Sequence, residues 1–435
     1  MTPKTFPFGT LPLAALLSVF AFPGCQTLRE LGRDLAFMDH TAIVSGRIAN
    51  AQSHSNVYAM IAEWNPETHK IASADFAAIR GLGVFGFYVS SKRDQYVSAF
   101  SDSNGDGRYE KGEPAWIHLG ADGKPAPVDF DDEGKARTAG TLSPDTILPD
   151  ELVDAGRRFL GGRTAAEAAT GWKIPVALGE IADLSDPKFS TKQGEAGLWH
   201  PASFPMKSGI GIYFLEKYDP DRTPVLFIYG AAGSPQDWMG FFEKFDRKRY
   251  QLWFCHYPTG RRLDETAAAL NRGITILHEE LGFQRLDVVA HSMGGLLARG
   301  FIVKNTFEDG NHYIHRFVSI STPWGGVKSA ALGVKRSPEV VPSWRDVAPG
   351  SDYQKMIFRR HLRGRIPHLL LYSHKASRAL TLPKENDGAV AVASELAPPA
   401  VKDAAKVIGF DETHTSILSN PEVIRDTRRF LDGSL

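Results

Sequence analysis

The sequence predicts an α/β protein: a mostly parallel sheet with helices on both faces, preceded by a small β-sandwich. Three observations predict it. From about residue 205, apolar strand-like runs alternate with helical stretches, the pattern of parallel strands joined by crossover helices. Between about 41 and 130 the runs are short and β-type, separated by turn residues at the spacing of a sandwich. The 435 residues exceed what one ordinary core organises, so two units plus accessory segments are expected. Lys and Arg total 50, as do Asp and Glu, so no charged footprint for nucleic acid is present. With 43% hydrophobic and 23% charged residues, the chain is expected to be folded rather than disordered.

At the N-terminus Lys4 precedes an apolar run over 11–22, long enough for a signal-peptide core and too short to span a bilayer. The run ends in Phe22-Pro23-Gly24-Cys25. This resembles the lipobox of bacterial lipoproteins, although Phe22 and Pro23 depart from the usual leucine and small residue. The resemblance implies a signal peptide over 1–25, lipidation of Cys25, a membrane as partner, and location in the bacterial cell envelope, on the periplasmic side or in the outer membrane. Leu28, Leu31, Leu35 and Met38 fall at helical spacing and predict a short amphipathic tether over 26–40. The only other cysteine, Cys255, sits in an apolar run and reads as a buried strand residue, so no disulfide framework is implied.

Residues 42–48, 57–62, 83–89 and 96–100 predict the strands of the sandwich, 41–130, which resembles prealbumin-like or carboxypeptidase-regulatory-like domains. Within it, Asp102, Asn104, Asp106 and Glu113 fall at positions 1, 3, 5 and 12 of a calcium-loop pattern, with Gly107 at the sharp turn. Asp and Gly clusters also build ion-free hairpin tips, so structural calcium and a plain turn are both open. A connecting segment, 131–204, carries helical signals only at 151–159 and 165–169.

The second unit, 205–435, has strand-like runs at 210–215, 225–229, 252–257, 286–290, 317–320, 369–372 and 407–410. Helical stretches are clearest at 265–281 and 296–307. Catalytic groups of such a sheet lie beyond the carboxyl ends of its strands. There the apolar run from Leu286 meets Ala290-His291-Ser292-Met293-Gly294-Gly295 and then a helical pattern. A serine at a strained strand-to-helix turn tolerates only small residues two before and two after it, here Ala290 and Gly294. A tight connection without catalytic meaning would use similar residues.

With these residues the sequence resembles the lipases and esterases of the α/β-hydrolase superfamily, and Ser-Thr-Pro-Trp-Gly-Gly at 321–326 resembles lipases related to inositol deacylases. The resemblance implies Ser292 as nucleophile and the backbone N–H groups of Ala231 and Met293 as the oxyanion hole. Ala231 follows Tyr229-Gly230, where the family commonly has His-Gly. It also implies His414, after the last strand run, as the base, and an acid before it. Glu385, Asp387, Glu395 and Asp411 are candidates. Asn386-Asp387-Gly388 with Ala389-Val390 resembles the acid motif of lipases and favours Asp387, while Glu395 reads as a surface or helix-entry residue.

A long insertion at 324–366 is expected to cap the site, since structureless loops of that length are uncommon in compact domains. The expected activity is cleavage of carboxylic esters with a lipid or other apolar acyl group, with no cofactor in the chemistry. The same triad could serve an acyltransferase, and a third reading makes the chain an envelope binding module with a degenerate hydrolase domain.

Overall fold

In the N-terminal third, alternating apolar residues build two small sheets that share one core. The structure, a computed structural model, describes residues 24–68, 70–168, 173–376 and 382–435; most of the expected signal peptide lies outside the described residues. Helix α1 (Cys25–Asp39) is followed by strands β1 (Ala42–Ile48), β2 (Val57–Asn65), β3 (Lys70–Ala78), β4 (Val84–Val89), β5 (Gln95–Ser101), β6 (Ala115–Ile117) and β7 (Lys135–Gly140). They form a three-stranded sheet, β4-β1-β7, and a four-stranded sheet, β3-β2-β5-β6. Val44, Phe85 and Phe87 of the first pack against Ala59, Ile61 and Val97 of the second. The outer face of the four-stranded sheet is not solvated: Met60, Phe76 and Phe100 meet Leu152 and Leu160 of helix α2 (Asp150–Leu160), which is why β5 is buried throughout rather than alternating.

Helix α1 is more than a tether. Leu31 is buried in the core of the larger unit, Phe37 packs edge-on against Tyr88 at 5.2 Å, and the Asp34 carboxylate accepts hydrogen bonds from the N–H groups of Ala202 (2.7 Å) and Ser203 (3.0 Å). Residues 26–40 are therefore docked on both units.

The large sheet has eight strands: β8 (Val176–Ile181), β9 (Ile210–Phe214), β10 (Thr223–Ile228), β11 (Tyr250–His256), β12 (Leu286–His291), β13 (Ile314–Ile320), β14 (His368–Ser373) and β15 (Lys406–Phe410), in the order β15-β14-β13-β12-β10-β11-β9-β8. The strands β10 to β15 are all parallel, and the pair β8 and β9, parallel to each other, joins β11 antiparallel. This mostly parallel sheet with flanking helices is an α/β-hydrolase fold. It takes in β8, upstream of residue 205 and inside the expected connecting segment. Gly179, at φ 82°, shifts the β8 register between Leu178 and Glu180 and interrupts the apolar run that would announce the strand. Likewise β7, whose sequence is largely polar, lies at a sheet edge beyond residue 130.

Between strands the chain forms α3 (Thr191–Trp199), α4 (Leu263–Leu281) and α5 (Met293–Ile302). Helix α4 has Asp264 and Glu265 in its first turn, buries Ala267, Leu270, Ile274 and Leu277 at helical spacing, and stops at Gly282 in the left-handed region. The insertion over 324–366 folds into α6 (Lys328–Arg336), α7 (Pro342–Val347) and α8 (Asp352–Ile357). It is pinned at several points: Tyr353 Oη donates to the Leu296 carbonyl at 3.0 Å, Leu263 N–H donates to Asp346 at 2.7 Å, and buried Arg299 donates to the carbonyls of Ile357 (2.9 Å) and Arg360 (3.0 Å) and to Asp403. A short helix α9 (Val392–Glu395) and the C-terminal α10 (Pro421–Leu431) complete the unit. Among the described residues no helix is long and apolar enough to cross a membrane.

Candidate active site

At the carboxyl end of β12 the backbone turns sharply. Ser292 has φ 54° and ψ −132°, a region that costs a non-glycine residue about 1–3 kcal/mol, and α5 begins at the next residue. The turn is set by close backbone approach. A Cβ on Gly294 would lie 2.4 Å from the Tyr229 carbonyl oxygen and 2.5 Å from that of Ile228, so glycine is required there. Gly230, at the end of the facing strand, leaves room for the serine itself: a Cβ there would come within 2.6 Å of Ser292 Cβ. Ala290, the small residue two before the serine, is fully buried.

Ser292 Oγ lies 2.8 Å from His414 Nε2, and His414 Nδ1 lies 2.6 Å from Asp387 Oδ2. All three residues are buried. An ionised carboxylate only accepts hydrogen bonds, so the His414 proton sits on Nδ1 and the Nε2 lone pair faces the serine hydroxyl. The histidine loop is further held by two bonds. His414 N–H donates to the Asp387 carbonyl at 2.8 Å, and His291 Nε2 donates to the His414 carbonyl at 2.7 Å. His291 therefore lies behind the histidine loop, and burial holds its imidazole down at about 3, neutral at ordinary pH.

Asp387 is ringed by donors. Its Oδ1 accepts from the N–H groups of Ala389 (2.9 Å) and Val390 (2.7 Å), and its Oδ2 from Ser373 Oγ (2.8 Å) as well as from His414. Burial alone would raise this carboxyl, but the adjacent His414 ring, its hydrogen bond and the two amides outweigh burial and hold it at about 2. Of the other acid candidates, Glu385 and Asp411 are exposed and accept nothing from His414. Glu395 is not the surface residue expected from its sequence context: it is fully buried, and one carboxyl oxygen accepts from Ser373 N–H at 3.2 Å.

The loop after β10 runs Tyr229-Gly230-Ala231-Ala232-Gly233. Neither the Ala231 nor the Met293 N–H has a protein acceptor among the described residues, which leaves both free for an oxyanion. The loop around them is rigid. Ala232 sits at φ 54° with its N–H donated to Thr259 Oγ1 at 3.1 Å. Tyr229 Oη accepts from Tyr257 N–H at 2.8 Å while Tyr257 Oη donates to the Tyr229 carbonyl at 2.7 Å, so the tyrosine in place of the family's histidine braces the loop from below. Helix α3 abuts the same loop, since a Cβ on Gly194 would lie 2.4 Å from the Gly233 carbonyl oxygen.

The calcium-pattern residues lie in the small sheets' loop and serve its backbone. Asp102 accepts from Gly105 and Gly107 N–H at 2.8 and 2.9 Å, Asn104 from Asp106 N–H, Asp106 from Arg108 N–H, and Glu113 from Ser103 and Glu110 N–H. Among the described residues no three His, Cys, Asp or Glu side chains converge on one point. Cys25 is exposed at the start of α1, and Cys255 is buried in β11.

The sequence gives Ser321 and Ser373 no role beside the acid, and its context places Glu395 at the surface rather than buried. Ser373 ends β14 and Ser321 follows β13, and polar residues closing apolar strands are the signal that could have found them.

Residues 262–335, from the helix before the elbow into the insertion, match the family model of lecithin:cholesterol acyltransferase. No curated protein matches the chain. Among solved structures the chain is similar to the mature form of lipase BlEst2 from Bacillus licheniformis, at 17% identity and TM-score 0.40, with 50% of this chain and 94% of that one covered. It is similar to the lin2722 product of Listeria innocua at 16% identity and TM-score 0.37, covering 49% and 94%. It is also similar to phospholipase PlaB of Legionella pneumophila at 14% identity and TM-score 0.33, covering 40% and 45%.

Proposed function

We propose that the chain is a serine hydrolase that cleaves carboxylic esters with lipid or other apolar acyl groups. The observation that carries this reading is the contact chain from Ser292 Oγ through His414 to Asp387, at 2.8 and 2.6 Å. In it, Ser292 Oγ attacks the ester carbonyl carbon while its proton passes to His414 Nε2. The carbonyl oxygen becomes an oxyanion held by the Ala231 and Met293 N–H groups, and Asp387 stabilises the imidazolium. Collapse breaks the ester C–O bond, and the leaving alcohol takes the proton from Nε2. Water, deprotonated by the same nitrogen, then releases the acid and restores the serine. Turnover of a graded series of chromogenic esters, rising with acyl length and absent in Ser292→Ala, tests it; equal turnover in the variant would overturn it.

A second reading has an alcohol in place of water as acceptor, which makes the chain an acyltransferase, and the match of residues 262–335 to the lecithin:cholesterol acyltransferase family favours it. Products analysed with and without an added long-chain alcohol separate the two. A relationship to inositol-deacylase-like lipases is part of the same proposal, supported by the folded insertion over α6 to α8. We also propose that Cys25 carries a lipid anchor in the cell envelope, and exposure of Cys25 at the start of α1 supports this. Membrane fractionation of wild type against Cys25→Ser tests it, and wild type recovered free of membranes would refute it.

A further inference from the structure

Glu395 stands where a second carboxylate is hard to accommodate. It is fully buried beside Asp387, itself fully buried, and no lysine or arginine pairs with either one among the described residues. The Glu395 carboxyl accepts from Ser373 N–H at 3.2 Å and lies against the Ser321 hydroxyl and the Asp387 carboxylate. Ser373 Oγ spends its proton on Asp387 Oδ2 at 2.8 Å, and Ser321 Oγ lies 2.6 Å from Ser373 Oγ. Two adjacent anions in this enclosure would repel and leave lone pairs unsatisfied, and a single proton shared between them removes both difficulties.

With Asp387 read as the triad acid, as above, we propose that Glu395 is a positioning residue: a neutral carboxylic acid whose O–H donates to the Asp387 carboxylate and keeps it ionised and aimed at His414. The groups that face Glu395 are Ser321 at the end of β13, Ser373 at the end of β14, and Asp387, with His414 beyond Asp387. The proton belongs on Glu395 because their surroundings differ. Burial first, and then the Asp387 charge, push the Glu395 carboxyl well above its usual range, whereas Asp387 has His414 and two amides to hold its charge. The arrangement supports the acid without adding a negative charge that would trap the imidazolium.

Glu395→Gln keeps a donor toward Asp387 and an acceptor for Ser373, whereas Glu395→Leu keeps neither. The glutamine variant is expected to hold kcat within about threefold of wild type, and the leucine variant to lose at least about tenfold in kcat with KM changed by less than about twofold. A second readout does not depend on turnover. A carboxyl raised in the folded state contributes stability that is complete below about pH 4.3 and declines as pH rises toward its folded value, so the Tm advantage of Glu395→Gln over wild type should grow from about pH 4 to about pH 8. Glutamine behaving like leucine in kcat, leucine matching wild type, or a Tm difference flat in pH would each overturn the inference. A wild type that hydrolyses no ester refutes the proposed activity, and the Tm comparison still decides the state of Glu395.

Discussion

Asp387→Asn is the substitution whose consequence the geometry fixes most closely. The Asp387 Oδ1 position faces two N–H donors, Ala389 and Val390, and only an oxygen can sit there. The asparagine must then place its NH2 at the Oδ2 position, opposite His414 Nδ1. Two donors cannot face each other, so the imidazole shifts to the tautomer with its proton on Nε2. That nitrogen then meets Ser292 Oγ as a donor and cannot accept its proton. The loss is expected to be about ten-thousand-fold in kcat, or about 5.5 kcal/mol of transition-state stabilisation. Packing changes little, because the side chains are nearly isosteric. Steady-state kinetics on a chromogenic ester, with circular dichroism to verify folding, measures it. Glu385→Gln, on an exposed side chain of the same loop, should change kcat by less than about threefold. A loss below about tenfold in Asp387→Asn would refute the tautomer argument.

Gly230→Ala would bring a Cβ within 2.6 Å of Ser292 Cβ and 3.1 Å of Oγ; a displacement of about 1 Å at the nucleophile should lower kcat about a hundredfold, and unchanged kinetics would show that the loop yields freely. Acid should destabilise the fold strongly. Burial holds His256, His291 and His368 each at about 3, so they stay neutral in the fold while the unfolded chain protonates them below about 6.5. Their stability is present above that value and is lost as pH falls toward 3, at about 2 kcal/mol each by pH 5, or about 6 kcal/mol together. Buried Asp237, raised to about 6, and buried Glu395 and Asp287, both also raised by burial, have the opposite sign and offset part of this loss over the same fall. A urea midpoint unchanged between pH 7 and 5 would contradict this. If the 102–113 loop holds calcium, Tm should be higher in calcium than in chelator, and an unchanged Tm would make it a plain turn; Asp102→Ala, which strips the acceptors of Gly105 and Gly107, should cost about 2 kcal/mol in either case.

What is legible in the sequence is what local sterics or strong periodicity dictate. The elbow shows itself because a backbone packed within 2.5 Å of a Cβ position admits only glycine, and Gly294 is visible as a letter. The strands β10 to β14 show themselves as apolar runs because their sheet is covered. The rest depends on partners remote in sequence. Asp34 reads as one charge on an amphipathic helix until Ala202 and Ser203, 168 and 169 residues away, are brought to it. Glu395 follows an Ala-Val-Ala-Val alternation and looks solvated, because the groups that make its burial tolerable come from β13, β14 and the Asp387 loop. Strand β8 is hidden by its bulge at Gly179, and β7 by the polarity an edge position allows.

The central claim is that Ser292 is a nucleophile activated by His414. Incubation of the full chain with a fluorophosphonate, followed by mass spectrometry of its peptides, tests it without any assumption about substrate. A stoichiometric adduct on the Ser292 peptide of wild type, absent from Ser292→Ala and strongly slowed in His414→Ala, is the expected result. A folded wild type that stays unlabelled, or an adduct on another residue, would contradict it and favour a binding module on a degenerate hydrolase fold.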